Sequence, residues 1–282
     1  MSRFTSITAL FALILPGLPA GAQTRSGPPA AVIEAPDYHR VAGLVFRAPL
    51  VIDATVRSTA RIAGPEAAGV PAGQARFYVN ADVGALIRGS SALPPRIGFL
   101  IDVPLDARGR APKLAKRRLI LFARSVSGRA DQIQLIDPSA TLDWTAPADA
   151  RVRAVVTAAL SPDAPPAISS PGNAFHVPGT LPGEGETQVF LNTADGTPVS
   201  LLVLRRPGQA RSWSVALGDI VGEAAPPPPR DSLLGYRLAC ELPAQLPESS
   251  LANTEPGTAD AAREDYDFVR RQVGACGDPL RR

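Results

Sequence analysis

From Leu50 onward the chain alternates between apolar and polar residues. Leu50, Ile52, Ala54, Val56, Ala60 and Ile62 are interleaved with Asp53, Thr55, Arg57, Thr59 and Arg61. A period of two predicts a strand with one face buried and one face wet. After a Gly- and Pro-marked loop over 64–73, Phe77, Val79, Ala81 and Val83 alternate with Tyr78, Asn80 and Asp82. A third strand places Ile97, Phe99, Ile101 and Val103 inward. Leu119 to Ala123 (LILFA) is apolar at every position, which suits a central strand covered on both faces. Ile133 and Leu135 mark a fifth strand. The stretch Arg96 to Val126, two strands joined by a basic loop, is what the others are arranged around.

The period then changes. Val152, Val155, Val156, Ala159 and Leu160 fall at helical spacing, with Thr145 as N-cap and Pro147 in the first turn. Ser161 to Pro171 reads as a linker. Beyond it, Gln188 to Asn192 and Val199 to Arg205 flank Asp195-Gly196, a hairpin signal, and Ser212 to Leu217 forms a further strand. Ala224 to Pro229 is a stiff, proline-rich spacer. Asp231 to Leu242 reads as a short helix. Thr258 to Val273 reads as a better one, with the stripe Ala262, Tyr266, Val269 and Val273 and a Gly274 stop. Upstream of the barrel, Tyr38 to Phe46 reads as a short lead-in strand.

These elements predict a mainly β protein with some α. An OB-like five-stranded β-barrel with a closing helix spans 38–160. A linker over 161–171 leads to a small C-terminal α+β module over 172–282, with a hairpin and two helices. The strand order and spacing of Leu50 to about Leu160, with Leu119 to Arg124 as central strand, resemble the OB-fold-like barrel domain of uncharacterised exported bacterial proteins. The resemblance covers under half the chain and implies architecture rather than a ligand.

Composition fits short elements and many turns: 30 prolines and 24 glycines stand among 282 residues. The net charge of +3 is too small to imply nucleic-acid binding from bulk electrostatics. Lys113 and Lys116 are the only lysines, so the basic residues are nearly all arginine.

The N-terminus reads as a signal peptide over 1–22. Arg3 supplies the positive region, Ile7 to Leu15 the apolar core, and Ala20-Gly21-Ala22 the small-residue cleavage site. Cleavage is expected after Ala22, giving a mature start at Gln23 and a flexible segment over 23–37. The apolar run is shorter than the ~20 residues a spanning helix needs, although a retained signal anchor is the alternative. No cysteine follows it, which excludes a lipoprotein. The expected location is periplasmic or secreted, with no stable membrane span after processing. In an oxidising compartment Cys240 and Cys276 favour a disulfide, and closing that loop contributes about 3–4 kcal/mol in the chain-entropy model.

The catalytic inventory is thin. No nucleophile-elbow, zinc-protease, P-loop or dinucleotide-binding pattern occurs. His39 reads as a surface or loop residue. His176 is the better placed histidine, but its metal reading with Glu184 and Glu186 matches no ligand spacing. Asp265 and Asp267 point apart on a helix, and with Glu264 they read as surface charge. Trp144 and Trp213 read as packing residues, and Tyr78 as the one wet aromatic of the barrel strands. No catalytic residue, metal ligand or cofactor is assigned.

The remaining candidate is the basic loop. Arg108, Arg110, Lys113, Lys116, Arg117 and Arg118 fall within eleven positions, a density that can hold phosphates or carboxylates. A solvated connection is the alternative. The function this supports is a non-enzymatic binding or assembly protein of the bacterial cell envelope. Its partner would be an anionic envelope polymer or another envelope protein, with nucleic acid disfavoured. A periplasmic hydrolase using His176, or an inhibitor or accessory subunit of an envelope enzyme, stands as the alternative.

Overall fold

The computed structural model describes residues 34–218, 225–255 and 257–277. The signal-peptide reading, with its Ala22–Gln23 cleavage, lies outside the described residues.

The protein is mainly β. Strands β1 (Leu50–Arg61), β2 (Gln74–Arg88), β3 (Arg96–Pro104), β4 (Arg118–Val126) and β5 (Arg129–Leu135) close on themselves in the order β1-β2-β3-β5-β4-β1. Neighbours are antiparallel except β3 and β5. Inside are Leu50, Ile52, Ala54, Val56, Val79, Ala81, Phe99, Ile101 and Leu121. Ala60, expected inward, is instead exposed. Asp53, expected on the wet face, is buried, because the outer face of the start of β1 is covered too. A three-residue strand that the sequence does not announce, β6 (Thr141–Asp143), pairs with β4 at Leu119 to Leu121, the stretch that β5 leaves unpaired.

β4 shows why LILFA is apolar throughout. Leu119, Leu121 and Ala123 fill the barrel, whereas Ile120 and Phe122 face outward into a second cluster. That cluster is closed by helices α1 (Tyr38–Arg47) and α2 (Ala146–Leu160). The lead-in strand expected at Tyr38 to Phe46 is thus α1, a helix. Asp37 caps it by accepting from the Arg40 amide at 2.9 Å. Val41, Ala42, Leu44 and Val45 share one buried face at helical spacing. α2 begins as its sequence predicts, with Thr145 capping the Ala148 amide. Its buried stripe stops at Val156, and Leu160 is exposed.

The C-terminal part is a four-stranded antiparallel sheet in the order β10-β9-β8-β7, from β7 (Ile168–Pro178), β8 (Gly185–Thr193), β9 (Val199–Arg205) and β10 (Ser212–Leu217). β7 takes in the last residues of the expected linker. It tolerates Pro171 and Gly172 because it is an edge strand with a register shift there. Helices α3 (Leu233–Glu241) and α4 (Ala259–Val273) cover one sheet face. The sulfurs of Cys240 and Cys276 are at bonding distance, 2.15 Å, which pins the chain after α4 to α3.

α3 also touches the barrel's helices. Tyr236 stacks on Phe46 with ring centroids 5.5 Å apart. His39, expected in a loop, is instead buried in α1, where Nε2 bonds the Arg230 carbonyl at 3.0 Å. No described helix is long and apolar enough to cross a membrane.

Candidate functional site

The barrel closes unevenly. β3 and β5 are in ladder register at one pair only, Gly98 with Gln132. Farther along, the Asp102 amide donates to the Pro138 carbonyl at 2.9 Å. Between these two pins the strands splay, and a groove of about 470 Å³ lies in the seam. Its floor includes Phe99, Ile133 and Leu135, whose side chains belong to the barrel interior. Its walls carry Tyr78, Leu100, Arg124 and Gln134.

Alternation along β2 and β3 sets these walls. Tyr78 lies between the inward residues Phe77 and Val79, so its ring is on the outer face, where the sequence places it. There it lies over Gly98. A Cβ at that position would fall 2.1 Å from the Tyr78 hydroxyl oxygen, so only glycine leaves room for the ring. Leu100, the next outward residue of β3, is 45% exposed, unusual for a leucine within a strand.

The charges of the groove are unequally satisfied. Asp102, nearly fully buried, takes a bidentate bond from Arg76 with both contacts at 2.8 Å. The Asp137 carboxylate turns into its own loop, accepting from the Ser139 amide at 2.9 Å and hydroxyl at 2.6 Å. Arg124 donates from Nε to the neutral amide oxygen of Gln134 at 3.1 Å. Among the described residues no carboxylate pairs with it, so its charge is presented to solvent and to whatever enters the groove. A floor of apolar side chains with a few directed polar groups is the usual composition of a small-molecule or oligomer site.

The basic loop is less of a unit than its sequence suggests. Arg118 clamps the buried carboxylate of Asp53 through Nε at 2.8 Å and Nη2 at 2.6 Å, and its guanidinium stacks 3.7 Å from the Trp144 ring centroid. Arg117 pairs with Asp143. Arg110 pairs with Asp106, whose other oxygen accepts the Arg108 and Arg110 amides. Those bonds hold the Asp106 carboxyl below the usual carboxylate range, the Arg110 amide foremost. Arg108, Lys113 and Lys116 have exposed side chains and no ion pair among the described residues. Leu114 dips into the barrel interior between them, and Lys116 takes a left-handed φ of 66° where the loop rejoins β1.

The structure assembles a second polar cluster, under α4. Asp265, expected on the surface, is fully buried. It accepts from the Thr187 hydroxyl at 2.5 Å and from Arg205 Nε at 2.9 Å, with Arg211 at 3.3 Å. Glu264, exposed as expected, bridges Arg205 and Arg211 from outside. His176 Nδ1 lies 2.8 Å from the same hydroxyl. The hydroxyl's one proton goes to Asp265, which assigns Nδ1 as the donor to Thr187. Burial, then Arg205, holds the imidazole below its usual range, with Asp265 opposing.

This chain of contacts runs in the wrong order for a catalytic triad. The acid grips the hydroxyl and lies 3.8 Å from the imidazole, whereas a triad needs the imidazole between acid and nucleophile. Glu184 folds back onto the Thr180 and Leu181 amides of its own turn, away from any shared centre with His176.

The sequence carried a signal for Asp265. It falls three residues after Ala262 and four before Val269, inside the apolar stripe of α4, and an acid in such a stripe implies a buried partner. Arg205, in phase with Leu201 and Val203 on β9, is that partner. The groove had no comparable signal, because a splayed parallel seam is a product of barrel closure. Trp213 is core, as expected. No protein-family model matches the chain, and no curated protein is similar to it.

Proposed function

We propose that this chain is an exported, non-catalytic binding protein of the bacterial cell envelope that seats a carboxylate-bearing glycan segment in the seam between β3 and β5. The observation that carries the reading is the pinned, open seam, with an apolar floor and Arg124 held by a neutral partner. A sugar ring has an apolar face for Tyr78 and Leu100 and hydroxyls for Gln134. Its carboxylate suits an arginine fork. A peptide adding as a β-strand needs an exposed sheet edge, and this seam is closed at both ends. Export is supported by the expected signal peptide and by the paired cysteines.

Calorimetric titration of the mature chain with peptide-free peptidoglycan glycan fragments tests the reading, at low and physiological salt. Saturable binding that survives physiological salt, and is lost about tenfold or more in Tyr78→Ala and Arg124→Ala, is expected. Absence of binding to the wild type, or equal binding by both variants, overturns it.

A further inference from the structure

The seam between β3 and β5 lacks a rung. Along a strand, the N–H and C=O of one residue face one neighbouring strand, and those of the next residue face the other. The Asp102 amide crosses the seam to the Pro138 carbonyl, so Gly98 and Leu100, in phase with it, also turn their main chain toward β5. The Ile136 amide points the opposite way, to the Phe122 carbonyl of β4, so Ile133 and Leu135 turn theirs toward β3. Gly98 uses this arrangement in its pair with Gln132. The next pair of a parallel ladder is Leu100 with Gln134. It takes a bond from the Leu100 N–H to the Ile133 carbonyl and one from the Leu135 N–H to the Leu100 carbonyl. Among the described residues that pair does not form. Leu100, Ile133, Gln134 and Leu135 all line the groove.

Main-chain groups left by a missing rung need partners from water or a ligand. A secondary amide suits the gap. It carries its carbonyl and its N–H on opposite sides, so it accepts from one strand and donates to the other, as an inserted peptide unit would. Arg124 stands at the same rung. Its ladder partner is Gln134, and its Nε donates to the Gln134 side chain at 3.1 Å. The open main chain and the cation without a carboxylate therefore meet at one position of the groove.

We infer that the sugar seated in the seam carries an acetamido group and a carboxylate on the same ring, the acetamido group read by the main chain of Leu100 and the facing residues of β5, and the carboxylate by Arg124. This rests on the glycan reading proposed above and names the kind of sugar residue that is bound. The Leu100 side chain contributes apolar wall and takes no part in reading the amide. Substituting it therefore leaves the amide preference in place, which separates main-chain from side-chain recognition.

The test is calorimetric titration of the wild type, Leu100→Ala and Arg124→Ala with the peptide-free peptidoglycan disaccharide and two analogues. One analogue replaces the acetamido group of the carboxylate-bearing ring with an O-acetyl ester, which keeps the carbonyl and loses the N–H. The other converts the carboxylate to its methyl ester. Each replacement is expected to weaken wild-type binding about tenfold. Leu100→Ala is expected to keep both preferences, and Arg124→Ala to keep the amide preference and lose the carboxylate one. Equal wild-type affinity for amide and ester, or an amide preference lost in Leu100→Ala, overturns main-chain reading of the acetamido group and leaves the seam reading standing. Failure of the disaccharide to bind the wild type overturns the seam reading itself. Thermal midpoints within about 1 °C of wild type, expected for substitutions at these exposed positions, separate lost binding from lost folding.

Discussion

The hydroxyl of Tyr78 occupies the space that a side chain at Gly98 would need, 2.1 Å from where a Cβ would stand. The ring therefore lies against β3 at its one register pair with β5, at the edge of the groove. Gly98→Ala should push the ring outward and cost about 1–3 kcal/mol by overpacking. In a Tyr78→Ala background the same change should cost less than half as much. Urea titrations of the four-member mutant cycle check this. Additive costs would mean that the two residues are not coupled.

Asp265 should matter far more to stability than its neighbour Glu264. Asp265→Asn leaves Arg205 facing a buried neutral group, and breaking a buried pair in this way costs about 3–5 kcal/mol. Glu264→Gln removes a carboxylate that is 60% exposed, and should cost under ~1 kcal/mol. Chemical denaturation of the two variants gives the comparison.

His176 sets a pH dependence with a definite sign. Its imidazole is held below the ordinary value near 6.5 in the folded chain. Between the folded value and ~6.5, the unfolded chain therefore binds more protons. The contribution is fully present above that window and is lost as the pH falls through it. Relative to His176→Gln, the wild-type urea midpoint should drop as the pH is lowered from 7 to 5. A difference constant across that range would remove His176 from the acid response.

The basic loop should divide into two functional halves. Replacing Arg108, Lys113 and Lys116 with glutamine should leave the thermal midpoint nearly unchanged, since none has an ion-pair partner among the described residues. Arg118→Gln should lower it clearly, because Asp53 is only 2% exposed and loses its bidentate partner. Thermal melts of the two variants decide this. If glycan binding falls only with the first set, the charge contact lies in the loop and the seam is the wrong site.

Much of the architecture was legible because it rests on period. Ile52, Ala54 and Val56, with Phe99, Ile101 and Val103, announce the face that fills the barrel, and LILFA at 119–123 announces a strand covered on both faces. The alternation that places Asp53 on a wet face does not show its burial against Arg118. The helix at Tyr38 is masked because the β-branched Val41 and Val45 favour extended backbone and Gly43 weakens a helix, while the Asp37 cap carries the decisive information. β7 was missed because Pro171 and Gly172 look like a linker unless the strand is known to lie at an edge. Asp265 was legible in principle, as an acid inside an apolar stripe. The seam was not: its open stretch depends on how far β3 and β5 diverge beyond Gly98 and Gln132, and that is decided by long-range closure rather than by any local pattern. The same holds for Arg118, whose sequence neighbours suggest a basic cluster and whose partner, Asp53, lies 65 residues away.

The most direct test of the central claim is amide hydrogen exchange, read by mass spectrometry, with and without saturating peptide-free peptidoglycan octasaccharide. The account predicts added protection in peptides covering 76–78, 98–100 and 124–138, with the loop over 105–117 and the C-terminal sheet unchanged. Protection confined to 105–117, or to β7 through β10, would contradict it and place the ligand elsewhere on the molecule.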